Sequence, residues 1–328
     1  MFAKSQEEYL IRRFNRNEVL LFLGAGFSKA ATNKLDENFP VGTELTKKIW
    51  EFMYPSIPFV DDGTSLQDIY QALIKSGKSN ADIENFLLSN LTVKRYPDYY
   101  KYLLLIKWFK IYTINIDDLL DKIFPKWGNE IENFVYPTVA YKERDQLLEK
   151  LQIIYLHGKL PCELENIIFS RTQYADSLIK LQPLYFHFIN EYSNLPTIFI
   201  GTTLNEILFD QYIATRQSIK KGVHENRPKS FLIIPEIPVI KERVFKNEYN
   251  IEVVRGTAGD FLNWLASISD KLLSKEDILK NLFPIISKLQ NHPKFKQYNT
   301  ESVHEFSQSF ISVDLSIQFP PKKKNYLL

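Results

Sequence analysis

The chain has 328 residues, 45% hydrophobic and 14% aromatic, which supports one large domain or two smaller ones with a real core and excludes a disordered composition. Forty-one basic against 39 acidic side chains leave a net charge of +2, so no global field draws in nucleic acid or anionic lipid. A single cysteine, Cys162, excludes an internal disulfide and any zinc site built on two or more thiolates.

Residues 1–18 are charged and amphipathic, without the apolar run of a secretory signal, and Glu7, Glu8 and Glu18 argue against a transit peptide. The first apolar run, Val19–Leu23, has the length of a strand and falls far short of the roughly 20 residues a bilayer crossing needs. A cytoplasmic protein without membrane contact is expected. From about 41 to 107 the periodicity is helical (Glu44–Met53, Ser65–Lys75, Ala81–Leu91, Tyr99–Lys107) and no strand is expected. That stretch is too long for one crossover, so it predicts a helical subdomain inserted between the first two strands. Further strand-length runs follow at Ile111–Thr113, Ile153–Leu156, Thr197–Ile200, Phe231–Ile234 and Ile251–Val254. Most are apolar at consecutive positions, as in strands covered on both faces. Helical stretches such as Asn205–Ile219 and Gly259–Leu273 lie between or after them. The alternation predicts an α/β fold with a parallel sheet of about six strands flanked by helices, and ligands in such sheets collect at the strands' carboxyl ends. Beyond 270 the pattern is a helix, a polar stretch, a strand-like Phe310–Phe319 and a basic tail, read as a linker or partner-docking segment.

Four strand ends present small or polar groups. After the first comes Gly24-Ala25-Gly26-Phe27-Ser28, and two of only 11 glycines in one tripeptide permit a tight turn or close approach to a phosphate. The same turn is also compatible with a bare strand-to-helix connection. After the second comes Thr113-Ile114-Asn115-Ile116-Asp117, where alternation puts the three polar residues on one side; Asn115 or Asp117 could instead cap the helix that starts near Asp118. The third end is His157-Gly158, the one histidine of five that closes a buried strand, suited to a base or to a structural role. The fourth is Gly201-Thr202-Thr203-Leu204-Asn205, a phosphate–ribose contact or a helix N-cap.

In this order the four motifs resemble the sirtuin-like (silent-information-regulator-type) family, and the resemblance spans about Leu20 to Gly256. It implies a Rossmann-like domain over residues 1–270 that takes NAD as substrate. It further implies that Gly24, Ala25, Gly26, Phe27 and Ser28 cradle the pyrophosphate. Thr113, Asn115 and Asp117 would line the nicotinamide–ribose pocket, with His157 as catalytic base. Gly201, Thr202, Thr203 and Asn205 would contact the phosphate–ribose stretch. Asn115 would place the ribose or a water, and Asp117 would bind the carboxamide. The protein deacylases of the family carry a four-cysteine zinc module that one cysteine cannot build, and the Phe-Arg pair of their flexible segment is absent; Phe39-Pro40-Val41-Gly42 stands there instead. These departures resemble the antiphage-defence branch, whose members hydrolyse NAD to nicotinamide and ADP-ribose without a metal. The expectation is therefore an NAD glycohydrolase acting in abortive infection. It is expected to be a homo-oligomer, with a sensor or partner contacting the helical insert or residues 271–328. A deacylase or ADP-ribosyltransferase, or a non-catalytic NAD- or ADP-ribose-sensing module, are the alternatives. Direct nucleic-acid binding is not expected: the basic runs at 294–296 and 322–324 stand against a neutral background. A dehydrogenase is disfavoured because Lys29 occupies the third glycine position of the dinucleotide fingerprint.

Overall fold

The computed structural model describes residues 1–126, 129–137, 150–179, 182–204 and 227–273. Seven parallel strands form the central sheet: β1 (Leu20–Leu23), β4 (Lys110–Thr113), β5 (Ile131–Val135), β6 (Leu151–Tyr155), β7 (Thr197–Ile200), β8 (Ser230–Ile234) and β9 (Ile251–Arg255), in the spatial order β5-β6-β4-β1-β7-β8-β9. A separate antiparallel pair joins β2 (Thr32–Asn33) to β3 (Val93–Arg95). The arrangement is α/β and Rossmann-like.

Side-chain alternation between two cores explains why β1, β7 and β8 are apolar at nearly every position. Leu21, Leu23, Ile111, Ile153, Tyr155, Ile198, Ile200 and Ile233 enter one core, with Leu10 and Phe14 of α1 (Lys4–Phe14) and Phe261 and Leu265 of the helix Ala258–Ser267. Leu20, Phe22, Tyr112, Ile154, Phe199 and Leu232 enter the other, against Leu184, Tyr185, Phe188 and Tyr192 of the helix Pro183–Tyr192. Each such side chain contributes ~1.5–3 kcal/mol by leaving water, so four-residue strands suffice when every position is covered.

Between β1 and β4 lie the short helix α2 (Ala25–Ser28), then α3 (Gly42–Met53), α4 (Leu66–Leu73), α5 (Asn80–Leu91) and a 3-10 segment, Asp98–Leu105. Ser65 and Ser79 cap α4 and α5 by accepting from the Asp68 and Asp82 N–H groups. The helical expectation holds for this stretch except at two places. The stretch expected as a helix over Tyr99–Lys107 is instead that 3-10 segment, and β3 pairs where no strand was expected, with only Val93 of its three residues buried. The insert is tied to the sheet domain at its edges. Val93 N–H donates to Asp118 Oδ1 (2.7 Å), and Arg171 Nη2 donates to Asp68 Oδ2 (2.8 Å).

The sheet has seven strands rather than about six. The addition is β5, an edge strand reading Ile-Glu-Asn-Phe-Val with only Phe134 buried, which lacks the apolar run that marks the others. The expected helix Asn205–Ile219 and the segment beyond Leu273 lie outside the described residues. Residues 271–273 dock on the N-terminal helix, where Asn15 Nδ2 donates to the Lys271 carbonyl (3.1 Å) and Asn15 Oδ1 accepts from Leu273 N–H (2.9 Å).

Candidate functional site

The registry puts the strand ends on one level. Leu23 pairs with Thr113 on one side and Ile200 on the other, and Thr113 pairs with Tyr155. The loops that follow these residues therefore emerge side by side, ~4.8 Å apart from strand to strand. Chain order reverses at β1: the chain leaves it towards β4 and returns on the other side at β7. That junction is where open α/β sheets bind ligands. A cavity of about 880 Å³ opens there, within the range of small-molecule sites. Ala25–Ser28, Asn115, Asp117, His157 and Gly201–Thr203 all line it. The structure thus brings the sequence-derived residues to one chamber. Gly24 and Thr113 do not line it: the Gly24 carbonyl accepts from Asn115 Nδ2, and Thr113 holds the start of the second loop, its Oγ1 accepting from Asn115 N–H (3.0 Å) and donating to the Leu23 carbonyl (3.3 Å). Asn205 lies outside the described residues.

The glycines serve loop-to-loop contact. Gly24 N–H donates to the Ile200 carbonyl and Gly26 N–H to the Gly201 carbonyl, both at 2.9 Å. A Cβ on Gly24 would stand 2.6 Å from Gly201 O, and one on Gly26 2.8 Å from Gly201 Cα. Gly201 itself has φ +71°, and its Cβ would lie 2.0 Å from Phe27 N. Gly201→Ala should lower stability by at least the ~1–2 kcal/mol of a left-handed L residue, with the backbone overlap on top. Thermal denaturation checks it: an unchanged melting temperature would mean that the two loops are not interlocked.

The polar floor is a connected network. Ser28 Oγ donates to Asp117 Oδ2 (2.7 Å), and Asn115 Nδ2 donates to both Ser28 Oγ and the Gly24 carbonyl (3.1 Å each). Asp117 Oδ1 accepts from Leu119 N–H (3.0 Å) at the first turn of α6 (Leu119–Lys126), so of the two candidate caps Asp117 makes the helix-start bond. Burial pushes the Asp117 carboxyl up to about 6, opposed by the bonds from Ser28 and Leu119. At the fourth loop it is Thr202, not Thr203, that closes the turn, its Oγ1 accepting from Leu204 N–H (3.0 Å).

His157 is 2% exposed. Its Nε2 lies 3.0 Å from Tyr185 Oη, and the Tyr174 ring meets it edge-on with centroids 5.4 Å apart. Burial lowers the imidazole pKa to about 3, so it is neutral at physiological pH. Gly158 has φ +89°, and a Cβ there would come within 2.2 Å of the Asn166 carbonyl.

Several residues around the cavity carried no signal that singled them out. Tyr174 lines it from the helix Arg171–Ile179, and Tyr185 stands behind His157 on the next helix. Leu45, Leu66 and Leu91 from the insert add apolar lining, next to Phe39 of the Phe39–Gly42 stretch. Gly256–Gly259 close the far end, where Thr257 caps its helix by accepting from Asp260 N–H (3.2 Å). Gly256 ends the span of the family resemblance, but nothing in the pattern tied it to the site. Among the described lining residues the charged side chains are Asp117 and Lys29, and Lys29 pairs with Glu44 at 3.2 Å.

A doubly covered parallel sheet with a polar-floored cavity at its switch point is the Rossmann-like α/β arrangement, in which ligands bind at that junction. Residues 110–254, the segment from β4 to β9, match the family model of the SIR2-like domain. SIR2-like domains use NAD, and the match is consistent with NAD-dependent activity. No protein of curated function matches the chain in sequence. The glycine turn after β1 precedes the matched segment, and the sheet joins the two at the cavity. Among the described residues, no helix is long and apolar enough to cross a membrane, and no group of three or more His, Cys, Asp or Glu is placed to hold a metal ion.

Proposed function

We propose that the protein is an NAD+ glycohydrolase that cleaves the nicotinamide–ribose bond and releases nicotinamide and ADP-ribose. The observation that carries the reading is the convergence of the glycine turn, Asn115, Asp117 and His157 on one cavity within a SIR2-like framework. Nicotinamide leaves with the electrons of the C1′–N bond and departs neutral, so no strong acid is required. An oxocarbenium-like C1′ remains, as in other glycosidic cleavages. One water adds to C1′ and gives up its proton. Asn115 places the ribose or that water. His157, held neutral by burial, takes the proton. Gly24–Ser28 and Gly201–Thr203 surround the pyrophosphate, with Asn205 extending that contact, and Asp117 faces the carboxamide.

Hydrolysis is favoured over transfer to an acyl-lysine because one cysteine cannot make the zinc module that accompanies peptide binding, and helices from the insert form the wall beside the site. In the cell, the same resemblance supports NAD depletion during phage infection, with assembly of copies or a sensor acting on the insert or on residues 271–328. Residues 1–270 then form the hydrolase domain. The test is incubation of the purified full chain with NAD+ and chromatographic separation of the products. Nicotinamide and ADP-ribose in equal amounts support the reading, and intact NAD+ under every assembly condition overturns it.

A further inference from the structure

Asn115 has one amide oxygen and two amide hydrogens, and only hydrogen bonding decides which faces a ligand. The Gly24 carbonyl can only accept, so the atom 3.1 Å from it must be Nδ2. The second amide hydrogen meets Ser28 Oγ at 3.1 Å. A serine hydroxyl can donate or accept, but its single proton is directed to Asp117 Oδ2 at 2.7 Å, which makes Ser28 an acceptor towards Asn115. Asp117 is itself held by Leu119 N–H. The chain of donors thus runs one way, from Asn115 through Ser28 to Asp117. Both amide hydrogens are spent on the protein, and among the described residues none donates to Asn115 Oδ1. The oxygen is the polar atom that Asn115 offers to the cavity it lines.

We propose that Ser28 and Asp117 are positioning residues that, with the Gly24 carbonyl, lock the Asn115 amide so that it meets the reacting ribose or water only as a hydrogen-bond acceptor. This rests on the glycohydrolase reading for its substrate, though the lock itself is a property of the free protein. An acceptor at that point holds a hydroxyl or water by its proton and turns the oxygen lone pair elsewhere, which is the orientation an attacking water needs. It also assigns Ser28 a role apart from phosphate binding, because its proton is committed to the carboxylate.

Asp117→Asn is the decisive variant. It keeps the shape and the acceptor for Leu119 N–H, but it puts an NH₂ group opposite Ser28 and reverses the donor chain. Ser28→Ala removes the link. The first readout is the Asn115 side-chain amide signal in the ligand-free protein, identified by its loss in Asn115→Ala. In the wild type both amide hydrogens exchange slowly, and in Asp117→Asn and Ser28→Ala the one facing residue 28 loses protection. The second readout is kinetic. In Ser28→Ala, losing the orientation of Asn115 should lower kcat roughly 10- to 100-fold, and Ser28→Thr, which keeps the hydroxyl, should recover much of it; Asp117→Asn is read by the amide signal, because Asp117 also faces the carboxamide. Unchanged amide protection in both variants overturns the proposal, as does an unchanged kcat in Ser28→Ala, whatever its KM. If the wild type leaves NAD+ intact, the glycohydrolase reading fails, and the amide measurement still decides the lock.

Discussion

His157→Ala and Asn115→Ala should each lower NAD+ turnover by ~10²–10⁴-fold, the range a well-placed base or orienting group supplies. The two losses have different origins. His157 is buried between Tyr185 and Tyr174 at the cavity wall, and its truncation removes the acceptor for the water proton. Asn115 is held from below by Gly24 and Ser28, and its truncation removes the group that orients the ribose or water. Steady-state rates on purified variants whose circular dichroism matches the wild type check this. Near-normal turnover in both would remove these residues from the mechanism.

Asp117→Asn should be more stable than the wild type at pH 8, by up to about 3 kcal/mol, and lose that advantage below about pH 4. The carboxyl is raised from 3.8 to about 6 by burial. The folded protein therefore binds a proton that the unfolded chain has released between those values. The associated stability is fully present below 3.8 and is lost as pH rises through about 6, a difference of about 3 kcal/mol. The groups facing the carboxyl are Asp118 and Asp121 from its own segment, Tyr100 from the 3-10 segment, Tyr155 from β6 and the Ser28 hydroxyl. The variant's carboxamide cannot ionise, and it keeps the helix-start acceptor. His157 works in the opposite sense: its pKa is lowered by burial, so its contribution is present above 6.5 and is lost as pH falls towards 3. The wild type should therefore show a flattened stability profile between about pH 4 and 6, and Asp117→Asn should expose the histidine's rising limb. Urea unfolding of both proteins from about pH 4 to 8 measures it. Equal stability at pH 8 would mean that the carboxylate is not held in an unfavourable charged state. A site residue that lowers stability while serving activity is the usual trade-off at functional sites.

The parts of the fold that were legible in the sequence are those that obey burial. β1, β4, β6, β7 and β8 are mostly apolar because both faces are covered, β9 shows through Ile251, Val253 and Val254 although it also holds Glu252 and the exposed Arg255, and several strand ends are marked by glycine, threonine or histidine. Lys110 begins β4 at 1% exposure, and the sequence pattern starts that strand one residue later because lysine is seldom buried unless paired. Its partner is Glu191, which also accepts from Tyr112 Oη at 2.8 Å, and that long-range pairing has no local signature. β5 escaped notice as a half-polar edge strand, and β2–β3 as two- and three-residue segments paired across the insert.

In the site, the four loop motifs were legible because chemistry at strand ends leaves polar residues where apolar ones would otherwise continue. Their internal wiring was not. Only the registry shows that the Gly24, Gly26 and Gly201 backbones touch, that Ser28 spends its proton on Asp117, and that Tyr185, 28 residues beyond His157, meets the imidazole. These contacts join segments far apart in sequence, and no spacing rule encodes them.

The most direct measurement is a crystal structure of the His157→Ala protein grown with NAD+. The pyrophosphate is expected between the Gly24–Ser28 and Gly201–Thr203 loops, with the nicotinamide ribose within hydrogen-bonding distance of Asn115 Oδ1. A dinucleotide bound elsewhere, or seated with its nicotinamide ribose turned away from Asn115 and position 157, would contradict it.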